Sequence, residues 1–242
     1  MTNRAATASA VMASRRSVGS SLDFFPTPPW ATRALLEEVL KPLGLFNLSR
    51  AGSQSAWEPA CGAGHMALPL QGYFREVLAT DVHDWGFGSI HGLDFTMAGR
   101  ASAPIVPDWV ITNPPFVLAE RFVDRALTIA TRGVAMLLRL QWLEGGDRYH
   151  LIFSGDRKPR FICPFAERVP MIEGVWDPEA SSATAYAWFV WDLEQPTTGR
   201  TEVIHIPPGM AERHTRPHDM GLASPGEAEF RRKLKAKAAE VA

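Results

Sequence analysis

Asn113, Pro114, Pro115 and Phe116 stand in a row, and that row could do chemistry on an amine. The nitrogen of an aromatic amine is a poor nucleophile, because its lone pair is delocalised into the ring. Two acceptors placed at its two hydrogens would draw the nitrogen toward a tetrahedral shape and expose the lone pair. The Asn113 side chain supplies one carbonyl, and the Pro114 backbone can supply the other. Two successive prolines stiffen the loop, so these acceptors need little reorganisation as charge develops. Phe116 adds a flat face on which a base can stack, a contact worth ~1–3 kcal/mol.

A second group of residues could hold a nucleoside. The turn Glu58-Pro59-Ala60-Cys61-Gly62-Ala63-Gly64 follows a short apolar stretch and leads into helical sequence. Gly62 and Gly64 let the backbone approach a ligand with no side chain in the way. Such a turn lies at the carboxyl end of a sheet, where open α/β folds bind ligands. Asp81 closes the next strand, and a carboxylate there can accept both hydroxyls of a ribose. Asp94 is followed by Phe95, a pair able to accept from an adenine amino group and to set an aromatic edge against its ring. A loop acid or a helix cap is the plainer reading of Asp94. The Gly-x-x-x-x-Gly-Lys-Ser/Thr pattern of a triphosphate loop is missing, so a nucleoside without a phosphate chain is the better ligand.

These residues must be carried by an alternation of strands and helices. Strands are expected at residues 56–58, 76–81, 108–112, 133–140 and 160–163. A helix at 34–40 ends at Pro42 and Gly44. Another starts near His65 and is short or bent, because Pro69 disfavours a long one. Leu118, Phe122, Ala126 and Ile129 recur at helical spacing, and a short helix covers 146–153. Two late strands, 184–191 and 202–206, are expected to pair antiparallel at one edge. This order argues for an α/β fold: an open, mostly parallel sheet with helices on both faces. Residues 207–225 have no clear periodicity, and 227–241 read as a charged helix carrying Arg231, Arg232, Lys233, Lys235 and Lys237.

A chain of 242 residues with 46% hydrophobic and 21% charged residues is of ordinary globular composition and long enough for one well-formed core. The organisation expected is a disordered leader at 1–21, one domain at 22–206 and an extension with a basic helix at 207–242. A net charge of −1 gives no global positive field, so a nucleic-acid partner needs a local basic face. Cys61 and Cys163 form neither a disulfide framework nor a metal spacing, which fits a reducing cytoplasm. No apolar run is long enough to span a bilayer. His65, His83, His91 and His150 show no ligand spacing, are expected at the surface or in loops, and point to no metal. The sequence carries no signal for an oligomeric state.

In their order, these motifs resemble those of the class I S-adenosylmethionine-dependent methyltransferases of the amino-group type, and phage and prophage N6-adenine methyltransferases most of all. Phe25-Pro26-Thr27-Pro28 resembles the N-terminal cofactor motif, residues 58–64 the glycine loop and Asp81 the ribose acid. Asp94-Phe95 resembles the adenine-binding pair, and residues 113–116 the catalytic motif. Residues 137–145 and 184–191 are also similar to small phage-type members, so the resemblance spans about 22–206. It implies a Rossmann-like, seven-stranded, mostly parallel sheet with a reversed final hairpin, and S-adenosylmethionine as cofactor. By the same resemblance Phe25, Thr27, Glu58, Ala60, Gly62, Gly64, Asp81, Val82, Asp94, Phe95 and Asn113 bind that cofactor. Asn113, Pro114, Pro115 and Phe116 are the catalytic residues. Transfer is then a direct in-line displacement without covalent intermediate or metal, in which orientation matters most.

The leading expectation is methylation of adenine N6 in DNA, with the target base extruded from the duplex at a cost of a few kcal/mol. Phe116, Trp142 and Arg139 are the candidate substrate residues, although Trp142 could equally be core. The stretch between Gly64 and Asn113 leaves no room for an inserted target-recognition domain. Specificity is therefore low or carried by loops such as 85–91 and 165–178, and RNA stays in play. The same acceptors would suit a protein glutamine amide. A reading of another class is a regulatory module that binds the cofactor without catalysis, against which the intact 113–116 motif speaks.

Overall fold

The computed structural model describes residues 23–46, 53–155, 157–197 and 199–241. The expected leader lies outside these residues. Eight strands form one sheet: β1 (Ser55–Glu58), β2 (Glu76–Asp81), β3 (Ile90–His91), β4 (Trp109–Thr112), β5 (Gly133–Arg139), β6 (Phe161–Pro164), β7 (Tyr186–Asp192) and β8 (Glu202–Val203). Their spatial order is β3-β2-β1-β4-β5-β7-β6-β8. Strands β3, β2, β1, β4 and β5 pair in parallel, β7 runs antiparallel to both β5 and β6, and β8 lies parallel to β6.

The α/β class matches the expectation, with eight strands in place of seven, but the two late strands do not pair with each other. Every residue of β7 is buried, so both its faces need cover and it takes an interior place between β5 and β6. Both residues of β8 are exposed, which suits the edge it occupies.

The twofold alternation of side chains along each strand sorts the core into two layers. Trp109, Ile111, Ala135, Leu137, Trp188 and Val190 point into one layer. Val110, Val134, Met136, Leu138, Phe189 and Trp191 point into the other. Gly133 is required by this packing, since a Cβ there would lie 2.3 Å from the Trp109 indole.

Helix α1 runs as Pro29–Ala34 and continues in a π-helical stretch, Leu35–Leu40, under the first layer. Proline at its first position lacks only an amide the helix would not have used. Helix α2 (Ala67–Gln71) is as short as Pro69 demands. Helix α3 (Ala119–Ile129) covers the second layer with Phe122, Val123, Ala126 and Ile129, and α4 (Gly146–Arg148, continuing as Tyr149–Phe153) follows β5.

The extension is more ordered than its lack of periodicity implied. Helix α5 (Met210–His214) packs on α1, and a 3-10 turn, Pro217–Leu222, delivers Asp219 to the buried Arg33 at 2.6 and 2.8 Å. Helix α6 (Glu227–Val241) begins where the Asp177 carboxylate accepts the Gly226 and Ala228 amides, at 3.1 and 2.9 Å. Among the described residues no helix is long and apolar enough to cross a membrane.

Candidate active site

The carboxyl ends of β1, β2 and β4 meet at a cleft of about 290 Å³. The turn after β1, Asp81 at the end of β2 and the 113–116 loop after β4 form its walls, and residues 23–27 cross it. Of the expected cofactor residues, Phe25, Thr27, Glu58, Ala60, Asp81, Val82, Asp94, Phe95 and Asn113 line this one cleft.

Glu58 is 1% exposed. Its Oε1 accepts the Thr112 hydroxyl and, at 3.1 Å, the Ala60 amide, while Oε2 has no partner among the described residues. Burial, reinforced by the charge of Asp81, pushes its carboxyl up to about 8 against those two hydrogen bonds. Asp81 accepts the Gly62 amide on one oxygen and the His83 amide on the other, both at 2.9 Å. Each oxygen keeps a further lone pair for a ligand hydroxyl.

The glycines of the turn take left-handed conformations, φ 50° at Gly62 and 86° at Gly64. Protein rings make the close approaches there. A Cβ on Gly62 would lie 2.3 Å from the Phe24 ring, and one on Gly64 would lie 2.7 Å from the Phe87 ring. Phe24 in turn lies flat on Trp85, 4.3 Å between centroids. Cys61 is no nucleophile: burial and then the charges of Glu58 and Asp81 push its thiol up to about 12.

Asp94 is a cap that also stands in the cleft wall. Its Oδ1 caps the 3-10 turn Phe95–Met97 by accepting from the Thr96 amide and hydroxyl, at 2.9 and 2.7 Å, and the residue lines the cleft. Phe95 is set by edge contact with Trp57 and a tilted contact with Phe122.

In the 113–116 loop, Asn113 Nδ2 donates to the Phe25 carbonyl at 2.9 Å. Only the nitrogen can donate, so this bond fixes the amide orientation. Asn113 Oδ1 is then left buried without a partner among the described residues. The Pro114 carbonyl accepts no hydrogen bond among the described residues, whereas the Pro115 carbonyl is taken by the Leu118 amide. Phe116 lines the cleft, but the Arg139 guanidinium sits 3.9 Å above its ring centroid. A base can stack on that face only after the guanidinium moves aside.

Gly62, Gly64 and Arg139 are not among the residues that line the cleft, and two further residues lie elsewhere than expected. Trp142 does not line the cleft; it is 8% exposed in the second core layer, edge-on to Phe153 and Phe189. A strand-end tryptophan beside such large rings gains more from burial than from a ligand. His65 is not at the surface. It is buried in the cleft wall with Nε2 3.1 Å from the Leu222 carbonyl, and burial lowers its affinity for a proton. His83, His91 and His150 are exposed as expected.

The motif reading missed Asp23, Phe24, Trp85, His65 and Thr112. Thr112 had a signal: a lone hydroxyl ends an apolar strand beside the strand that ends in Glu58. His65 had none, since its partner is 157 residues away.

No family model and no curated protein matches the chain. Solved structures do match it in fold. A Listeria monocytogenes protein assigned to the class I S-adenosylmethionine-dependent methyltransferases aligns at a TM-score of 0.54 and 13% identity, over 84% of this chain and 71% of its own. A Vibrio vulnificus protein assigned as the modification subunit of a type I restriction enzyme aligns at 0.50 and 14%, over 88% and 54%. The M protein of the EcoKI type I restriction enzyme aligns at 0.50 and 12%, over 80% and 51%. The chain thus spans about half the length of the two restriction subunits. It has the Rossmann-like fold of the class I methyltransferases.

Proposed function

We propose that this chain is an S-adenosylmethionine-dependent methyltransferase acting on the N6 amino group of adenine in DNA. One observation carries the reading: the Asn113 side-chain oxygen is buried in the cleft without a partner, its orientation imposed by the Phe25 carbonyl. A buried unpaired acceptor is unfavourable by about 1–3 kcal/mol unless something donates to it. The carbonyl of Pro114, the next residue in the chain, also accepts no hydrogen bond among the described residues, and two such acceptors match the two hydrogens of a primary amine.

The cleft residues fit the cofactor. Glu58 Oε2 is an unpaired buried acid oxygen suited to an ammonium group, and Asp81 has lone pairs to spare for ribose hydroxyls. Asp94 and Phe95 present an acceptor and a ring edge for an adenine. When bound, the cofactor supplies an electrophilic methyl group on a sulfonium. The chain's own residues do the rest. Asn113 and Pro114 withdraw the amine hydrogens from the ring plane and turn the lone pair outward. The two prolines keep both carbonyls in place, so little reorganisation accompanies transfer. Neither carbonyl is basic enough to keep the proton the amine sheds, which passes to water. The fold likeness to modification subunits of restriction enzymes supports DNA as the carrier of the base.

The test is transfer of a radiolabelled methyl group from the cofactor to separate DNA, RNA and protein pools, with the labelled product digested and identified. Label is expected in N6-methyladenine from DNA. Asn113→Ala is expected to lower turnover by about 10²–10³-fold and to leave cofactor affinity within about twofold. Label in RNA or in glutamine instead would reassign the substrate, and full turnover by Asn113→Ala would overturn the role of the acceptor.

A further inference from the structure

The 113–116 loop lacks a local anchor at its far end. Phe116 opens the 3-10 turn Phe116–Leu118 that runs into α3, and the first amides of a helical run have no partner within it. A Ser, Thr, Asn or Asp just before the run usually accepts them, but here that place is held by Pro115, which has no side-chain acceptor. The prolines that stiffen the loop thus leave the run uncapped.

The acceptor comes from 93 residues away. Asp23 Oδ2 accepts the Phe116 amide at 2.6 Å, and the neighbouring Val117 amide favours the ionised form of the same carboxylate. Two residues on, the Phe25 carbonyl holds Asn113 Nδ2. One short strap therefore grips the loop at both ends. The strap is itself fixed: the Phe24 carbonyl accepts the Gly174 amide at 2.7 Å, and the Phe24 ring stacks on Trp85. Asp23 holds a left-handed φ of 49°, disfavoured for a residue with a Cβ and found where surrounding contacts impose it. The Phe116 side chain is pinned as well, between Arg139 at 3.9 Å and the Phe25 ring at 5.1 Å.

We propose that Asp23 is a positioning residue for amine methylation: its carboxylate caps the Phe116 amide and so holds the Asn113 and Pro114 acceptors in register with the substrate amine. This rests on the function proposed above. Asp23 touches neither the reacting nitrogen nor the methyl group in this account, so its loss acts on turnover through loop geometry. A displacement of about 1 Å in such a site lowers rates by about 10²-fold.

The experiment compares wild type, Asp23→Ala and Asp23→Asn by residue-resolved amide hydrogen exchange, calorimetric S-adenosylmethionine affinity and steady-state methylation of DNA. In Asp23→Ala the Phe116 amide is expected to exchange at least about tenfold faster, because its acceptor is gone, and the neighbouring Val117 amide to loosen with it. Turnover is expected to fall by about 10–10²-fold, with KM for DNA and cofactor affinity within about twofold of wild type. Asp23→Asn keeps an acceptor oxygen and is expected to restore part of both the protection and the turnover, which a general folding defect would not do. Unchanged exchange at the Phe116 amide overturns the proposal, as does unchanged turnover. So does a loss confined to cofactor affinity, which would make Asp23 a cofactor residue instead. If wild type methylates no DNA, the proposed function fails, and the exchange measurement still decides whether Asp23 holds the loop.

Discussion

Glu58 and Asp219 are the same chemical group, both shielded from solvent at 1% and 2% exposure, though Glu58 lies deeper, and the protein treats them in opposite ways. Burial raises the proton affinity of both. At Asp219 the Arg33 guanidinium, the Arg216 amide and the charge of His218 outweigh burial and hold the carboxyl below its usual range. At Glu58 only one hydroxyl and one amide oppose burial, Asp81 adds to it, and the carboxyl stands at about 8. Around Arg33 the countercharge is built into the fold and only Nε lacks a partner. Around Glu58 it is missing among the described residues, and the residue lines a cleft. A buried acid with its cation supplied belongs to the architecture; one left without it marks a place for a cation from outside.

The sharpest way to break this contrast is at the paired site. Asp219→Ala leaves Arg33 buried with no countercharge and should destabilise the fold by about 3–5 kcal/mol in urea unfolding. Turnover of the folded fraction at low temperature should stay within about twofold, because the pair lies outside the cleft. The sign with pH follows from the depressed carboxyl. The contribution of Asp219 is present above the unfolded pKa of about 3.9 and is lost as pH falls through the lower folded value, so the acid limb of wild-type stability should steepen below about pH 4 and flatten in the variant. A loss under about 1 kcal/mol would mean that Arg33 reaches water once its partner is gone.

Glu58→Gln tests the other half. A raised carboxyl contributes stability that is full below its unfolded pKa of about 4.3 and lost as pH rises toward about 8. The ligand-free protein should therefore weaken across that window by up to about 1.36 kcal/mol per pH unit, and the glutamine variant should not. Adding S-adenosylmethionine supplies an ammonium group that favours the ionised acid. Calorimetry in buffers of different ionisation enthalpy should find about one proton released at pH 7 in wild type and none in Glu58→Gln. Equal proton release in both would remove Glu58 from the cofactor site.

How much of this was legible in the sequence differs between the two regions for the same reason. The cleft is made of local signals: glycines in a turn, acids at strand ends and a proline pair after a strand. Each reports its position because strand ends in a parallel sheet share one edge. Asp81, Asn113 and the two-layer core followed from such patterns. Arg33, Asp219 and His65 could not, since their partners lie 157 to 186 residues away and nothing in the local pattern of 207–225 announces a buried acid. The late strands were misplaced for a related reason. Hairpin adjacency is the default for neighbouring segments, and only the burial of both faces of β7 overrides it. Trp142 was ambiguous because a large ring after a buried strand suits a pocket and a core equally.

The smallest effect separates the two sites most cleanly. Thr112 is fully buried, and its hydroxyl is one of two donors favouring the ionised form of Glu58. Thr112→Val keeps the shape of the side chain and removes that donor. A neutralised hydrogen bond of about 0.5–1.5 kcal/mol should push the Glu58 carboxyl above about 8 by up to about one pH unit. The midpoint of proton release on cofactor binding should move up by that amount, while the acid limb set by Asp219 stays where it was. A midpoint that holds still would mean that the Thr112 hydroxyl serves the strand and not the acid. A shift of both limbs would mean that the two carboxylates, one at the end of β1 and the other in the 3-10 turn Pro217–Leu222, answer to a common change in the fold.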